Sequence, residues 1–103
     1  MRVIYIAGKY SGSCDNEVFE NIIVARTAAR RLWSKGWAVI CPHTNSMFMD
    51  WDDDGNIFIE GDLEFIRRVD AIYMLSNYKD SPGALKELEL AESLGLEIIY
   101  EGE

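Results

Sequence analysis

Residues 71–100 read AIYMLSNYKDSPGALKELELAESLGLEIIY, and this stretch decides the fold. Two short apolar runs, Ala71–Leu75 and Glu97–Tyr100, are continuous rather than alternating, which is typical of strands buried on both faces. Between them, Ser81 and Pro82 predict the N-cap and the first residue of a helix. A strand, a helix and a second strand in this order predict a parallel unit with a right-handed crossover.

The residues before this stretch predict the same pattern. Val3–Ala7 and Trp37–Cys41 are two further apolar runs and predict the first two strands. Asp15 is expected to cap the first helix, and Gly36 is expected to end it, since glycine favours the position just after a helix. A second helix is predicted from about Gly61 to Val69.

Strands and helices therefore alternate along the chain, which predicts an α/β domain with an open parallel sheet of about four strands. In such sheets, ligands bind beyond the carboxyl ends of the strands. The segments expected at that edge are Gly8–Ser13, Pro42–Asn45, Ser76–Gly83 and the start of the last helix.

Composition limits the classes of function. A chain of 103 residues is the size of one domain, and its net charge of −8 argues against binding to nucleic acid polymers, which reward clustered Lys and Arg. No stretch is long and apolar enough to span a membrane, and the N-terminal MRVIYIAG is better interpreted as a core strand than as a signal peptide. Cys14 and Cys41 have no metal-binding spacing and are expected to be reduced thiols in a cytosolic protein.

Glu87 is the unusual residue of the last helix. A helical projection places it between Ala91 and Leu94, inside the apolar face. A carboxylate that faces a core is unfavourable unless it is paired or hydrogen-bonded, so a functional role is one interpretation. The alternatives are a side chain that bends out to water and an ion pair with Arg67 or Arg68.

Other residues at the predicted edge accompany this carboxylate. They are Tyr5 in the first strand, Ala7-Gly8 after it, Asp62 and Asp70 around the second helix, and the run from Gly83 through Glu87 to Ala91, with the pattern Gly-x-x-x-Glu-x-x-x-Ala. Together they resemble the nucleoside 2-deoxyribosyltransferase superfamily, which includes short bacterial and phage members. The resemblance spans nearly the whole chain, from the first predicted strand to the fourth. It implies one flavodoxin-like domain over residues 1–103, with the strand order 2-1-3-4 and helices on both faces.

The resemblance also implies a function. Glu87 looks like the family's nucleophile, Tyr5 like the tyrosine that orients it, and Asp62 like an acidic residue near the substrate. The expected reaction is cleavage or transfer at the N-glycosidic bond of a nucleoside or nucleotide, without a cofactor, as in a retaining glycosidase. Binding of such a molecule without turnover remains the alternative. A homodimer is expected by the same analogy.

The predicted substrate-binding residues belong to the segments at the carboxyl edge. Ser81 resembles the serine that holds phosphate in the family's nucleoside-monophosphate hydrolases, and it is equally interpretable as a helix cap. His43 is interpretable either as a substrate contact or as a polar loop residue, and no second histidine exists to build a typical catalytic metal site. The full predicted set comprises Gly8, Lys9, Tyr10, Ser11, His43, Asn45, Ser81 and Gly83.

An acidic segment provides a competing interpretation. Asp50, Asp52 and Asp54 match the opening of an EF-hand calcium loop, but the final glutamate of that motif is replaced by Gly61. The alternative is a solvated loop between Asn45 and Phe58 that covers the pocket.

Overall fold

Four parallel strands form one sheet in the order β2-β1-β3-β4. A computed structural model describes residues 1–50 and 56–102 of the protein. The strands are β1 (Val3–Ala7), β2 (Ala38–Ile40), β3 (Ala71–Met74) and β4 (Glu97–Tyr100). The predicted flavodoxin-like fold class and the strand order 2-1-3-4 are confirmed.

The helices are α1 (Asp15–Ser34), α2 (Pro42–Asn45), α3 (Asn56–Ile66) and α4 (Pro82–Ser93), with a 3-10 turn at Tyr78–Asp80. Within the described ranges, no helix has the length and apolar character needed to cross a membrane. The predicted start of α4 is confirmed, because Ser81 caps it through its side chain. Gly36 and Gly95 follow the ends of α1 and α4 with φ values of +94° and +71°, where glycine avoids the strain that other residues meet.

The core lies on both faces of the sheet because side chains alternate along each strand. Ile4 and Ile6 of β1 pack on one face with Ala25, Ala29 and Leu32 of α1. On the opposite face, the β1 residues Tyr5 and Ala7 pack with Ile66 of α3 and with Ala84 and Ala91 of α4. The direction of Tyr5 toward α4 therefore follows from the pleat of the central strand.

Three predictions about local structure are wrong. Helix α1 is capped by Cys14 rather than Asp15, and the carboxylate of Glu17 holds the preceding turn by accepting hydrogen bonds from the Ser13 amide and hydroxyl groups. Residues 42–45 form a short helix instead of a loop. Helix α3 begins at residue 56, five residues earlier than expected, because Gly61 lies within the helix rather than at its start.

The acidic segment is described only in part. Asp52, Asp54 and Gly55 of the predicted calcium loop lie outside the described residues, whereas Asp50 lines the pocket described below. Within the described ranges, no group of three or more His, Cys, Asp or Glu side chains is arranged to hold a metal ion.

Gly8 permits the loop after β1 to pass close to the end of β3. A β-carbon at this position would lie 2.4 Å from Leu75 Cδ1 and 2.9 Å from Asn77 Oδ1. Both distances are shorter than ordinary contacts, so a larger residue at this position would force Leu75 or the loop to shift.

We expect Gly8→Ala to lower the free energy of unfolding by about 1 to 3 kcal/mol, because the methyl group overpacks the contact with Leu75. Gly61→Ala is the matched control. No atom lies within 4 Å of the added carbon there, and alanine favours the helix by about 0.5 to 1 kcal/mol. Urea denaturation of both variants measures the difference, and equal stability of Gly8→Ala and wild type would contradict the close approach.

Candidate active site

A pocket of about 540 Å³ opens at the carboxyl edge of the sheet. Its walls come from the loop after β1, from α2, from α3 and from the first turns of α4. The structure brings together every predicted site residue except one: Tyr5, Gly8, Lys9, Tyr10, Ser11, His43, Asp62, Ser81, Gly83 and Glu87 all line this pocket.

Asn45 is the exception, because it does not line this pocket. It lies two residues after His43 in α2, so the two side chains are about 200° apart around the helix. His43 faces the pocket, whereas Asn45 lines a second cavity with Arg26 and Trp33 of α1. The helical conformation of this segment, which was predicted as a loop, separates the two residues.

Glu87 faces the interior and is held there by Tyr5. The Tyr5 hydroxyl donates a hydrogen bond to Glu87 Oε2, and Tyr5 is fully buried whereas Glu87 is partly buried. The two alternatives for Glu87 are thereby excluded, because its side chain does not bend out to bulk water and because Arg67 and Arg68 pair with Glu64 on α3 instead.

Burial controls the protonation of this group of side chains. It raises the pKa of Glu87 from 4.5 to about 7, with a smaller increase from the nearby Asp62, while the Tyr5 hydrogen bond acts in the opposite direction. Burial also raises the pKa of Asp62 to about 6. The pKa of Tyr5 is raised well above its ordinary value by burial and then by Glu87 and Asp62, so its hydroxyl remains a hydrogen-bond donor at neutral pH.

His43 is buried in the opposite wall, with only 3% of its surface exposed. Burial lowers the pKa of His43, which favours the neutral ring at neutral pH. Nε2 lies 3.2 Å from the Lys9 carbonyl oxygen, and because a carbonyl only accepts hydrogen bonds, the proton is on Nε2. His43 Nδ1 has no hydrogen-bond partner among the described residues.

The first turn of α4 forms the third side of the pocket. Ser81 Oγ accepts a hydrogen bond of 3.1 Å from the Ala84 amide, so the predicted role of Ser81 as a helix cap is confirmed. Gly83 leaves open space, because the nearest atom to an added β-carbon would be Ser81 Oγ at 3.9 Å. No sequence signal marked Lys86, which lines the pocket beside Glu87 although the helical projection turns it away from the apolar face.

The comparisons with known proteins agree with this architecture. The sequence model of the family described as "Domain of unknown function (DUF4406)" matches residues 2–100. The chain belongs to this family. Membership in DUF4406 assigns no activity, and no curated protein sequence matches the chain.

A solved structure shares the fold of this DUF4406 protein. It is a 2-deoxyribosyltransferase from the psychrotolerant bacterium Bacillus psychrosaccharolyticus, characterised as a biocatalyst for the synthesis of antiviral and antitumoral nucleosides. The TM-score is 0.65 at 24% sequence identity, and the match covers 98% of this chain and 74% of that chain. The likeness shows that the two proteins have the same fold.

The buried carboxylate has a consequence for stability. The folded protein disfavours ionised Glu87, so the stability associated with its raised pKa is fully present below pH 4.5 and is lost as the pH rises through about 7. Glu87→Gln removes the charge and keeps an oxygen that accepts from Tyr5. We expect this variant to be more stable than wild type by roughly 1 to 3 kcal/mol at pH 8, with little difference at pH 4.5.

Thermal and urea unfolding at the two pH values measure this difference. Glu89→Gln is the matched control, because Glu89 is exposed on the same helix and its substitution should change stability little at either pH. Equal effects of the two substitutions at pH 8 would be inconsistent with a buried Glu87 carboxylate.

Proposed function

We propose that the protein cleaves or transfers the N-glycosidic bond of a nucleoside, with Glu87 as the nucleophile. The observation that carries this proposal is the carboxylate held by the buried Tyr5 hydroxyl inside a pocket at the carboxyl edge of the sheet. The fold shared with a 2-deoxyribosyltransferase adds support, as does the match to that superfamily's pattern from Gly83 to Ala91.

The first chemical step assigns separate roles to the two oxygens of Glu87. Tyr5 holds Oε2, so Oε1 is the oxygen that attacks the anomeric carbon of the sugar. The bond from that carbon to the base breaks, and its electron pair leaves with the base. The product is a glycosyl ester of Glu87, which water hydrolyses or a second base displaces, as in retaining glycosidases.

Asp62 is the proposed proton donor to the leaving base. Burial raises the pKa of Asp62 to about 6 and that of Glu87 to about 7, and the charge of Asp62 adds to the increase at Glu87. Near neutral pH one of the two carboxyl groups can therefore carry a proton while the other is ionised, which provides one acid and one nucleophile. The positive charge that develops on the sugar favours the arrangement in which Glu87 is ionised and Asp62 keeps the proton.

The charge of the pocket favours a nucleoside over a nucleotide. The described lining residues include four carboxyl groups and two lysines, namely Asp50, Asp62, Asp80, Glu87, Lys9 and Lys86. A dianionic phosphate would be repelled because the lining holds more carboxyl groups than lysines, whereas an uncharged nucleoside would experience no such repulsion. The Ser81 hydroxyl at the start of α4 is the feature that favours the nucleoside monophosphate as the second candidate.

The test is to incubate the protein with a panel of nucleosides and their 5′-monophosphates and to measure the free base by chromatography. We expect release from a nucleoside by wild type and a decrease of at least about 10³-fold in Glu87→Ala, because alanine lacks the carboxylate that forms the proposed glycosyl ester. Glu89→Ala, on the exposed side of the same helix, should retain the wild-type rate.

Release by Glu87→Ala at the wild-type rate, with circular dichroism showing an intact fold, would remove Glu87 from the mechanism. Calorimetric binding of a nucleoside without release by wild type would instead support the alternative function, a binding protein without turnover.

We also propose that the protein is a homodimer, by analogy with the superfamily that it resembles, and that it is cytoplasmic, in keeping with its free cysteines. Large apolar side chains are exposed on α1 and α3, and such patches are typical of protein interfaces. Trp33 and Phe65 from these helices line one cavity, so their exposed faces adjoin. The proposed interface is centred on Trp33 and Phe65, which are both exposed and line this cavity.

We expect light scattering to give a dimer for wild type and a monomer for Trp33→Glu, because a buried charge opposes association. Leu94→Glu is the control, since Leu94 is similarly exposed but lies at the end of α4. A wild-type protein that is monomeric at micromolar concentration would refute the proposed dimer.

A further inference from the structure

The peptide groups on both sides of the Lys9 α-carbon are held by side chains from two different parts of the chain. The Lys9 amide donates a hydrogen bond of 2.9 Å to Asn77 Oδ1, and the Lys9 carbonyl accepts from His43 Nε2 at 3.2 Å. Asn77 follows β3, whereas His43 belongs to α2, which follows β2. Strands β2 and β3 are the two neighbours of β1 in the sheet. The loop after β1 is therefore held by residues that follow each of its neighbouring strands.

The hydrogen bond between the Lys9 amide and Asn77 requires the loop after β1 to pass close to the end of β3. Gly8 lies so near the end of β3 that an added β-carbon would be 2.8 Å from Leu75 Cβ and 2.9 Å from Asn77 Oδ1. The same oxygen accepts from the next residue, Lys9. Asn77 therefore contacts the loop at the point where the chain turns from the strand into the pocket wall.

The next residues of the loop are held in a similar way. Asn21 of α1 donates from Nδ2 to the Tyr10 and Ser11 carbonyl oxygens at 3.0 Å and 3.2 Å, and the Tyr10 hydroxyl accepts from the Phe48 amide at 2.9 Å. The positions of Lys9, Tyr10 and Ser11, which line the pocket, thus depend on a few specific hydrogen bonds rather than on regular secondary structure.

We propose that Asn77 is a positioning residue: it holds the Lys9 amide so that the Lys9–Ser11 wall has the shape that binds the ligand. The ligand part of this inference rests on the proposed nucleoside function of the pocket. Asn77 is not among the described residues that line the pocket, so it acts through Lys9 rather than by touching the ligand.

Two substitutions separate the hydrogen bond from the rest of the side chain. Asn77→Leu has a similar volume but no acceptor, whereas Asn77→Asp keeps an oxygen for the Lys9 amide. We expect hydrogen exchange at the Lys9 amide, measured by NMR, to be about tenfold faster in Asn77→Leu and within about twofold of wild type in Asn77→Asp. If leucine prevents folding, Asn77→Ala provides the same comparison.

The functional measurement uses the nucleoside that wild type cleaves. We expect Asn77→Leu to raise KM by about 3- to 10-fold with kcat changed by less than about threefold, and Asn77→Asp to restore KM. Asn16→Leu is the matched control, because Asn16 donates to Glu20 on the exposed side of α1 and should change neither quantity.

Unchanged Lys9 exchange in Asn77→Leu would overturn the inference, as would a raised KM in Asn77→Asp despite wild-type exchange. The exchange measurement needs no substrate, so it decides the role of Asn77 in the loop by itself. If wild type neither binds nor cleaves any nucleoside of the panel, the proposed function fails, and the ligand part of this inference fails with it.

Discussion

The hydrogen bond between the buried Tyr5 hydroxyl and the Glu87 carboxylate connects the centre of the sheet to the last helix, and the pocket is organised around it. The two residues are 82 positions apart in the sequence, and each is placed by its own secondary structure: Tyr5 by the pleat of β1 and Glu87 by the turn of α4. Without the tyrosine, the carboxylate would lose the donor that opposes the effect of burial on its pKa. Burial disfavours the ionised Glu87 side chain, and the hydrogen bond from the Tyr5 hydroxyl offsets part of this cost.

The parallel sheet explains why residues from four segments line the pocket around this hydrogen bond. All four strands run in one direction, so the loops that follow them emerge at one edge. The loop after β1, helix α2 after β2, and helix α4 after β3 consequently form three walls, and α3 supplies Asp62. The walls contact one another as well, since Asn77 and His43 both bind the Lys9 backbone.

Buried carboxyl groups such as that of Glu87 reduce stability, and proteins tend to retain them where chemistry requires them.

The success of prediction differed from element to element for physical reasons. Helix α4 was predicted correctly because its signals are local: a serine cap, a proline in the first turn and a glycine after the last. The same periodicity placed Glu87 on the inward face. Helix α3 was predicted to begin at about Gly61, but it begins at residue 56 and continues through the glycine, while Leu63 and Ile66 pack into the core. Asn45 was predicted to lie in the pocket because its segment follows β2 at the carboxyl edge of the sheet, and the short helix turns it toward another cavity.

The sequence by itself determined the strands, their burial on both faces, the order of the elements and the inward direction of Glu87, because these properties depend on neighbours within a few residues. The helical pattern alone left the partner of that carboxylate open, whereas the family resemblance named Tyr5 and predicted that Gly8 to Ser11 lie at the pocket. Only the tertiary structure decided between the alternatives for Glu87, turned Asn45 away from the pocket and placed Asn77 against the Lys9 peptide. Tyr5 rather than Arg67 or Arg68 became the partner of Glu87, and Asn77 became the partner of Lys9. Those pairings join residues more than sixty positions apart, and they depend on the order and register of the strands, which bring distant segments to one edge.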